Sequence, residues 1–360
     1  MRRIGVVHLP LHGGRAPPWL FKRMVKLSGK ISSVIINEYG RGEFLRRLAD
    51  PHWFQAFACV LGFDYHSSGA TTVTCSALKA ALSVEEHGVA LCGGKGRYSR
   101  EAPSEIGEIG EKIGLSTEKL NYLIYASRLT AKVDNSAIQA GYPLYHHTFI
   151  MSEDGDWVTI QQGMHIEERL ARRYHWISTG LKSFVEEPHS AIVGDKVHTR
   201  VLDMTARESL TSREISVDIV KEGPRRVGQL LRSIVPMHQR RLTEWSEDRP
   251  EERGRIVKTL YMPKRVNWDA LKRAYEFQPK DYEELLNLEG IGPSTVRGLA
   301  LIGELVYGRP PSWRDPVKFS FAFGGKDGVP RPVDREAMDE AIQILRVGVE
   351  GAKLDDGERL

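Results

Sequence analysis

The sequence predicts an α/β (α+β) N-terminal domain, a mostly helical middle, and a C-terminal domain built on two helices joined by a glycine hairpin. Three observations predict it. Strand-like apolar segments concentrate in the first half of the chain. Apolar residues at helical spacing dominate after about residue 203. The run Leu288-Glu289-Gly290-Ile291-Gly292-Pro293-Ser294-Thr295 interrupts that spacing with two glycines and restarts it with a proline.

Taken in order, Ile4 to Leu9 and Ser33 to Asn37 read as strands, with a helix from Trp19 to Leu27 opened by Pro17-Pro18. Glu43 to Leu48 and Trp53 to Leu61 read as helices parted by Pro51. Thr71 to Leu82 reads as a packed helix or a strand leading into one. Gly93-Gly94-Lys95-Gly96 reads as a break. Glu105 to Ile113 and Thr117 to Lys132 read as helices, the second capped at Ser116 or Thr117. Tyr145 to Met151 and Trp157 to Gln162 form a predicted hairpin with Asp154-Gly155 at its turn. Ile166 to Ile177 reads as an Arg-rich helix, 186–200 as loop, and 203–245 as helices broken at Pro224 and Pro236. The polar stretch Ser246 to Glu252 marks a boundary. The expected units are an α/β domain over 1–185, a helical middle over 186–250, a hairpin domain over 251–350, and a frayed tail over 351–360.

The net charge is only +4, but it is unevenly spread. Residues 1–30 hold seven Lys or Arg and no acid. Residues 221–241 hold six against Glu222, and residues 255–280 hold seven against Asp269 and Glu276. Such blocks suit a polyanion, whose phosphates attract cations and release counterions. Three cysteines without a CxxC pair exclude a four-thiolate zinc site and fit a reducing, cytoplasmic setting. The first ten residues lack the apolar core of a signal peptide, and no apolar run approaches a membrane span. DNA is therefore the expected partner, bound without strong sequence preference. A homodimer and a docked repair protein are further expectations.

The hairpin chemistry is local. A tight turn between helices needs glycine where φ is positive or a Cβ would clash. Pro293 suits the first helical turn. Leu288, Ile291 and Val296 would anchor the turn, leaving the amides near Gly290, Gly292, Ser294 and Thr295, with Arg297, to hold a phosphate. This run resembles the helix-hairpin-helix motif of DNA repair and recombination proteins. In lyase-active relatives a lysine follows the hairpin; Ser294 stands at that position, which argues against Schiff-base chemistry. Monofunctional glycosylases sharing the motif carry an Asp further on, and Asp315 is the nearest match, somewhat beyond the usual spacing.

Over nearly its whole length the chain also resembles an archaeal and bacterial family known as a domain of unknown function. The resemblance rests on Leu11 to Pro17, Gly62 to Gly69, Gly93 to Gly96, Asp154 to Trp157, Gln161 to Met164 and Phe323 to Gly328. A local order of Asp-Gly turn, strand, Gly163 and Arg169 to Arg173 resembles the ParB-like nuclease fold. That fold's arginine pair after the glycine is replaced here by Met164-His165.

Metal-capable side chains concentrate between 50 and 170. Asp64 and His66 would share a strand face, followed by Asp134, His146-His147, Glu153, Asp154, Asp156 and His165. Carboxylates with imidazoles suit Mn²⁺ or Mg²⁺, which activate water beside a phosphodiester. The leading expectation is a metal-dependent DNA nuclease, with Asp64, His66, His147 and Asp154 catalytic and Asp64, His66, Asp134 and His146 as ligands. The alternatives are a non-enzymatic DNA-binding adaptor and, third, a glycosylase using Asp315. Lys95 in its Gly-rich turn and Lys326 after the alternating Phe319 to Phe323 are additional expected phosphate contacts. The Gly-rich turn lacks P-loop spacing, which excludes nucleotide hydrolysis of that kind.

Overall fold

The computed structural model describes residues 16–62, 69–194, 196–234 and 265–317, together with 339, 342 and 343. Asp64, His66, Lys326, the Ile4 to Leu9 segment and the Phe319 to Phe323 segment lie outside the described residues.

The centre of the fold is a five-stranded antiparallel sheet. Its strands are β1 (Val89–Lys95), β3 (Leu144–Ser152), β4 (Trp157–His165), β5 (Leu170–Ile177) and β6 (Ala191–Gly194), in the order β1-β3-β4-β5-β6. A two-residue strand β2 (Ile138–Gln139) pairs separately with β7 (Leu202–Asp203). The expected hairpin is present, closed by Ser152 N donating to Asp156 O, with Gly155 at φ 91°.

Successive strand residues face opposite sides. Ile150, Val158 and Ile160 join a core with α1 (Pro18–Ala49), α2 (Pro51–Val60) and α3 (Gly69–Ala81). Phe149, Met151, Trp157, Tyr174 and Trp176 join a second core. Its other members come from α5 (Ala102–Lys112), α6 (Thr117–Lys132), α7 (Leu210–Lys221), α8 (Pro224–Ser233), α9 (Trp268–Phe277), α10 (Tyr282–Asn287) and α11 (Pro293–Leu305). A single-turn helix, α4 (Val84–His87), precedes β1. The sheet is thus buried on both faces, and the second core draws on residues as far apart in sequence as Val84 and Ile302.

Local chemistry sets the helix starts. Asp50 accepts from His52 N and Trp53 N ahead of α2, Ser116 accepts from Lys119 N at α6, and Asp281 accepts from Glu284 N at α10. The α1 helix is kinked at Gly40, φ 84°, which accounts for two separate helical readings within it.

Three sequence readings are corrected. Ser33 to Asn37 is helical: its β-branched residues lie inside α1, where Leu27, Ser28, Ser32 and Ile35 share the buried stripe. Gly93-Gly94-Lys95 ends strand β1 rather than breaking the chain, because β3 comes so close that a Cβ on Gly93 would stand 2.3 Å from His147 O. The Arg-rich segment is strand β5, not a helix, so the turn-strand-Gly-helix order that resembled the ParB-like fold is not present here. Its arginines are both fully buried on opposite faces. Arg173 donates to Gln55, Thr71 and His175 on the α1–α3 side, while Arg172 pairs with Asp315 at 2.7 Å, both side chains fully enclosed.

Removing one partner of an enclosed pair strands the other charge. Asp315→Ala is expected to cost about 3–5 kcal/mol in urea unfolding. The double replacement Arg172→Met with Asp315→Leu is expected to recover most of that loss, and equal losses in the two variants would refute the reading.

Candidate functional site

A cleft of about 610 Å³ opens between α6, the residues after β1, the near end of β3, and the turn between α10 and α11. Ser127, Arg128, Ala131 and Lys132 line it from one face of α6, as spacing by four residues requires. Arg100 lines it from beyond β1, His147 from β3, and Asn287 and Glu289 from the helix turn. Arg100 and Arg128 are exposed at the rim and Lys132 is half-buried.

At the floor, a chain of hydrogen bonds runs through the sheet. His147 Nε2 meets Ser127 Oγ at 2.9 Å, and His147 Nδ1 meets Gln161 Oε1 at 2.9 Å. Gln161 Nε2 donates to Asp134 Oδ2, which also accepts from Trp176 Nε1 at 3.0 Å. Asp134 Oδ1 faces His189 Nε2 at 2.5 Å. Direction follows from the indole, which can only donate. Asp134 Oδ2 is therefore an acceptor, the Gln161 amide nitrogen must face it, and the Gln161 oxygen must face His147. That oxygen needs a proton on His147 Nδ1, so His147 Nε2 carries a bare lone pair and accepts from the Ser127 hydroxyl. Burial holds His147 neutral, pushing its pKa down to about 4, against a smaller opposing effect of Gln161. Burial pushes the Asp134 pKa up, opposed by His189 and Trp176.

The helix turn is seated on this assembly. Lys132 Nζ donates to Leu288 O at 2.8 Å and Ile291 O at 2.9 Å, and Tyr125 of α6 donates to Glu283 at 2.6 Å. Burial pulls the Lys132 pKa down, partly offset by Glu289. Gly290 has φ 83°, and a Cβ there would crowd Asn267 and Ala270. Gly292 caps α11 in an extended conformation with open space where a Cβ would stand, and no side chain bonds the first-turn amides. Those amides remain a place where an anion can be met.

The predicted residues separate into groups. His147, Asp134 and Gln161 come together. His146 is also among the residues lining the cleft, but its imidazole does not join the hydrogen-bond chain: adjacent strand residues alternate in face, and His146 Nε2 contacts Thr148 Oγ1 at 3.0 Å. Asp154 sits exposed on the hairpin turn and pairs with Arg41 of α1 at 3.0 Å, so it holds the turn and is remote from His147. Five strand residues, ~17 Å, separate His147 from Ser152. Thr295 is buried, and Arg297 is half-buried, donating to Gln139 at 2.9 Å with its guanidinium over Trp313. Ser294 is half-buried beside Gly292, while Lys95 is exposed with its ammonium 5.9 Å from the Tyr145 ring. Asp315 is held by Arg172 and His198 N, away from the helix turn.

Of the expected metal ligands, Asp64 and His66 lie outside the described residues, and the imidazole of His146 does not converge with the carboxylate of Asp134. Both Asp134 oxygens are engaged, His146 Nε2 is taken up with Thr148 Oγ1, and among the described residues no group of three or more His, Cys, Asp or Glu could hold an ion. Sequence reasoning missed Ser127, Lys132, Arg100, Arg128 and His189. One signal was readable: a hairpin turning at Asp154-Gly155 pairs His147 with Gln161, as the register shows.

These features define a two-core α+β protein with a cationic cleft over a Ser–His couple. The chain belongs to the family described as "Protein of unknown function (DUF763)", whose model matches residues 5–333. Comparison with curated proteins and with solved structures gave no match. No helix among the described residues is long and apolar enough to cross a membrane.

The enclosed imidazoles give an acid-stability signature. His147 and His146 (the latter pushed down to about 3) titrate near 6.5 only when unfolded. The unfolded chain then binds more protons, so their contribution is complete above pH 6.5 and is lost as pH falls towards 4. Each contributes a slope of about 1.4 kcal/mol per pH unit between these limits. Between pH 6 and 4.5, His147→Gln is expected to show a shallower fall of unfolding free energy than the parent, by about one proton. Identical slopes would contradict the assignment.

Proposed function

We propose that this chain binds the phosphate backbone of DNA at the α10–α11 turn and performs phosphodiester chemistry in the adjoining cleft. The observation that carries this reading is the shared wall. The turn residues Asn287 and Glu289 line the same cleft as Ser127 and His147, with Arg100, Arg128 and Lys132 supplying positive charge. A phosphate bridging the α11 amides and this cleft would lie beside a neutral imidazole whose Nε2 lone pair meets the Ser127 hydroxyl, the state a general base requires. Arg265 and Arg273 are exposed near the turn, and Arg273 reaches Glu289 O at 3.0 Å, while Lys272 and Lys280 lie opposite Glu276 and Glu284. Lys132, held by two turn carbonyls, is the link that fixes the turn against the cleft.

A Mn²⁺ or Mg²⁺ ion would need Asp64 and His66, which lie outside the described residues, because the described donors Asp134 and His146 do not converge. The alternative is a DNA-binding adaptor without chemistry, favoured by the enclosure of His147, which is 4% exposed. A glycosylase is disfavoured because Asp315 is committed to Arg172.

Electrophoretic shift with duplex and single-stranded DNA is expected to show binding that weakens steeply with salt. Arg128→Ala should reduce the slope of log K against log salt by about 1. Cleavage is then assayed with Mg²⁺, Mn²⁺ or EDTA. Salt-sensitive binding without cleavage in any arm selects the adaptor, and absence of binding at low salt ends both readings.

A further inference from the structure

Ser127 has no packing reason to be a serine. It lies in the middle of α6, 1% exposed, where alanine would continue the helix at lower cost. Its hydroxyl donates neither back along the helix nor to water-facing groups, but to His147 Nε2 at 2.9 Å. The imidazole is in turn oriented by a third group, Gln161, which is oriented by the enclosed Asp134. Nucleophile, base and orienting group stand in the order that activates a weak oxygen nucleophile. Arg100, Arg128 and Lys132 line the same cleft as Ser127, with Glu289 as the one acid among its described residues, so a net positive lining is present where negative charge would develop on a phosphorus centre.

We propose that Ser127 is the nucleophile of a covalent phosphoryl-transfer reaction, with His147 as its base and Gln161 as the positioning residue. The choice of a nucleic-acid phosphodiester as substrate rests on the reading above; the activated hydroxyl rests on the hydrogen-bond chain alone. In the first step Ser127 Oγ attacks phosphorus, its proton passes to His147 Nε2, and the bond from phosphorus to the leaving sugar oxygen breaks. That oxygen takes the proton back from His147. In the second step water gives a proton to His147 and its oxygen bonds to phosphorus. The Ser127 Oγ–P bond then breaks, and Ser127 recovers the proton. No oxidant or further reactant is needed. The charged groups across the cleft from His147 are Arg100, Arg128, Lys132 and Glu289.

The full chain is incubated with diisopropyl fluorophosphate and mapped by mass spectrometry. Ser127 Oγ should displace fluoride, giving one phosphoryl adduct on Ser127 that is absent in Ser127→Ala. His147→Gln should slow its formation at least ~100-fold. A folded chain without the Ser127 adduct overturns the proposal. Because His147→Gln alters an enclosed residue, Ser127→Cys provides a second measurement. Its alkylation by iodoacetamide should stay fast well below the ordinary thiol range near pH 8.5, and an ordinary thiol profile overturns the activation. An adduct on Ser127 without DNA cleavage leaves the nucleophile standing and removes the DNA reading. DNA cleavage undiminished in Ser127→Ala does the reverse.

Discussion

One enclosed carboxylate organises the functional half of this molecule. Asp134, in the turn that follows α6, collects the indole of Trp176, the amide of Gln161 and the imidazole of His189, from β5, β4 and the segment before β6. A buried acid without donors would be costly. With three of them it fixes the relative placement of helix and sheet, and also fixes which way each neighbouring group points. The orientation of Gln161, the tautomer of His147 and the role of the Ser127 hydroxyl all follow from the fact that an indole cannot accept a hydrogen bond.

The helix that leads into Asp134 carries the other half of the arrangement. Along one face of α6, Ser127 meets the imidazole, Arg128 stands at the cleft rim, and Lys132 holds the carbonyls of the α10–α11 turn. Helical spacing thus places the proposed nucleophile and the anchor of the turn proposed to meet a phosphate on one rigid rod. Such a cleft has little freedom to vary its geometry, which suits chemistry at a phosphate that must be held in line with a nucleophile.

Legibility in the sequence tracked how well each element obeyed a local rule. The β3–β4 hairpin announced itself through Asp154-Gly155 and flanking apolar strands, and α6 through its Ser116 cap. The α10–α11 turn was legible from Gly290, Gly292 and Pro293. Strand β5 was not, because both its faces are buried and its two arginines find partners only in the folded chain, Arg172 with Asp315 and Arg173 with Gln55 and Thr71. Ser33 to Asn37 looked like strand by composition, but the packing stripe of α1 overrode that preference. Among site residues, His147, Gln161 and Asp134 drew attention by type, though not as a hydrogen-bonded chain. Ser127 gave no signal, since a serine within a helix differs from its neighbours only once β3 is brought beside it.

The tautomer of His147 is the most direct test of this account. Nitrogen-15 NMR of the imidazole, assigned by loss of the signals in His147→Gln, distinguishes the protonated nitrogen from the bare one. At neutral pH the account predicts a neutral ring with its proton on Nδ1 and an unprotonated, hydrogen-bonded Nε2. A proton on Nε2, or a doubly protonated ring, would contradict it.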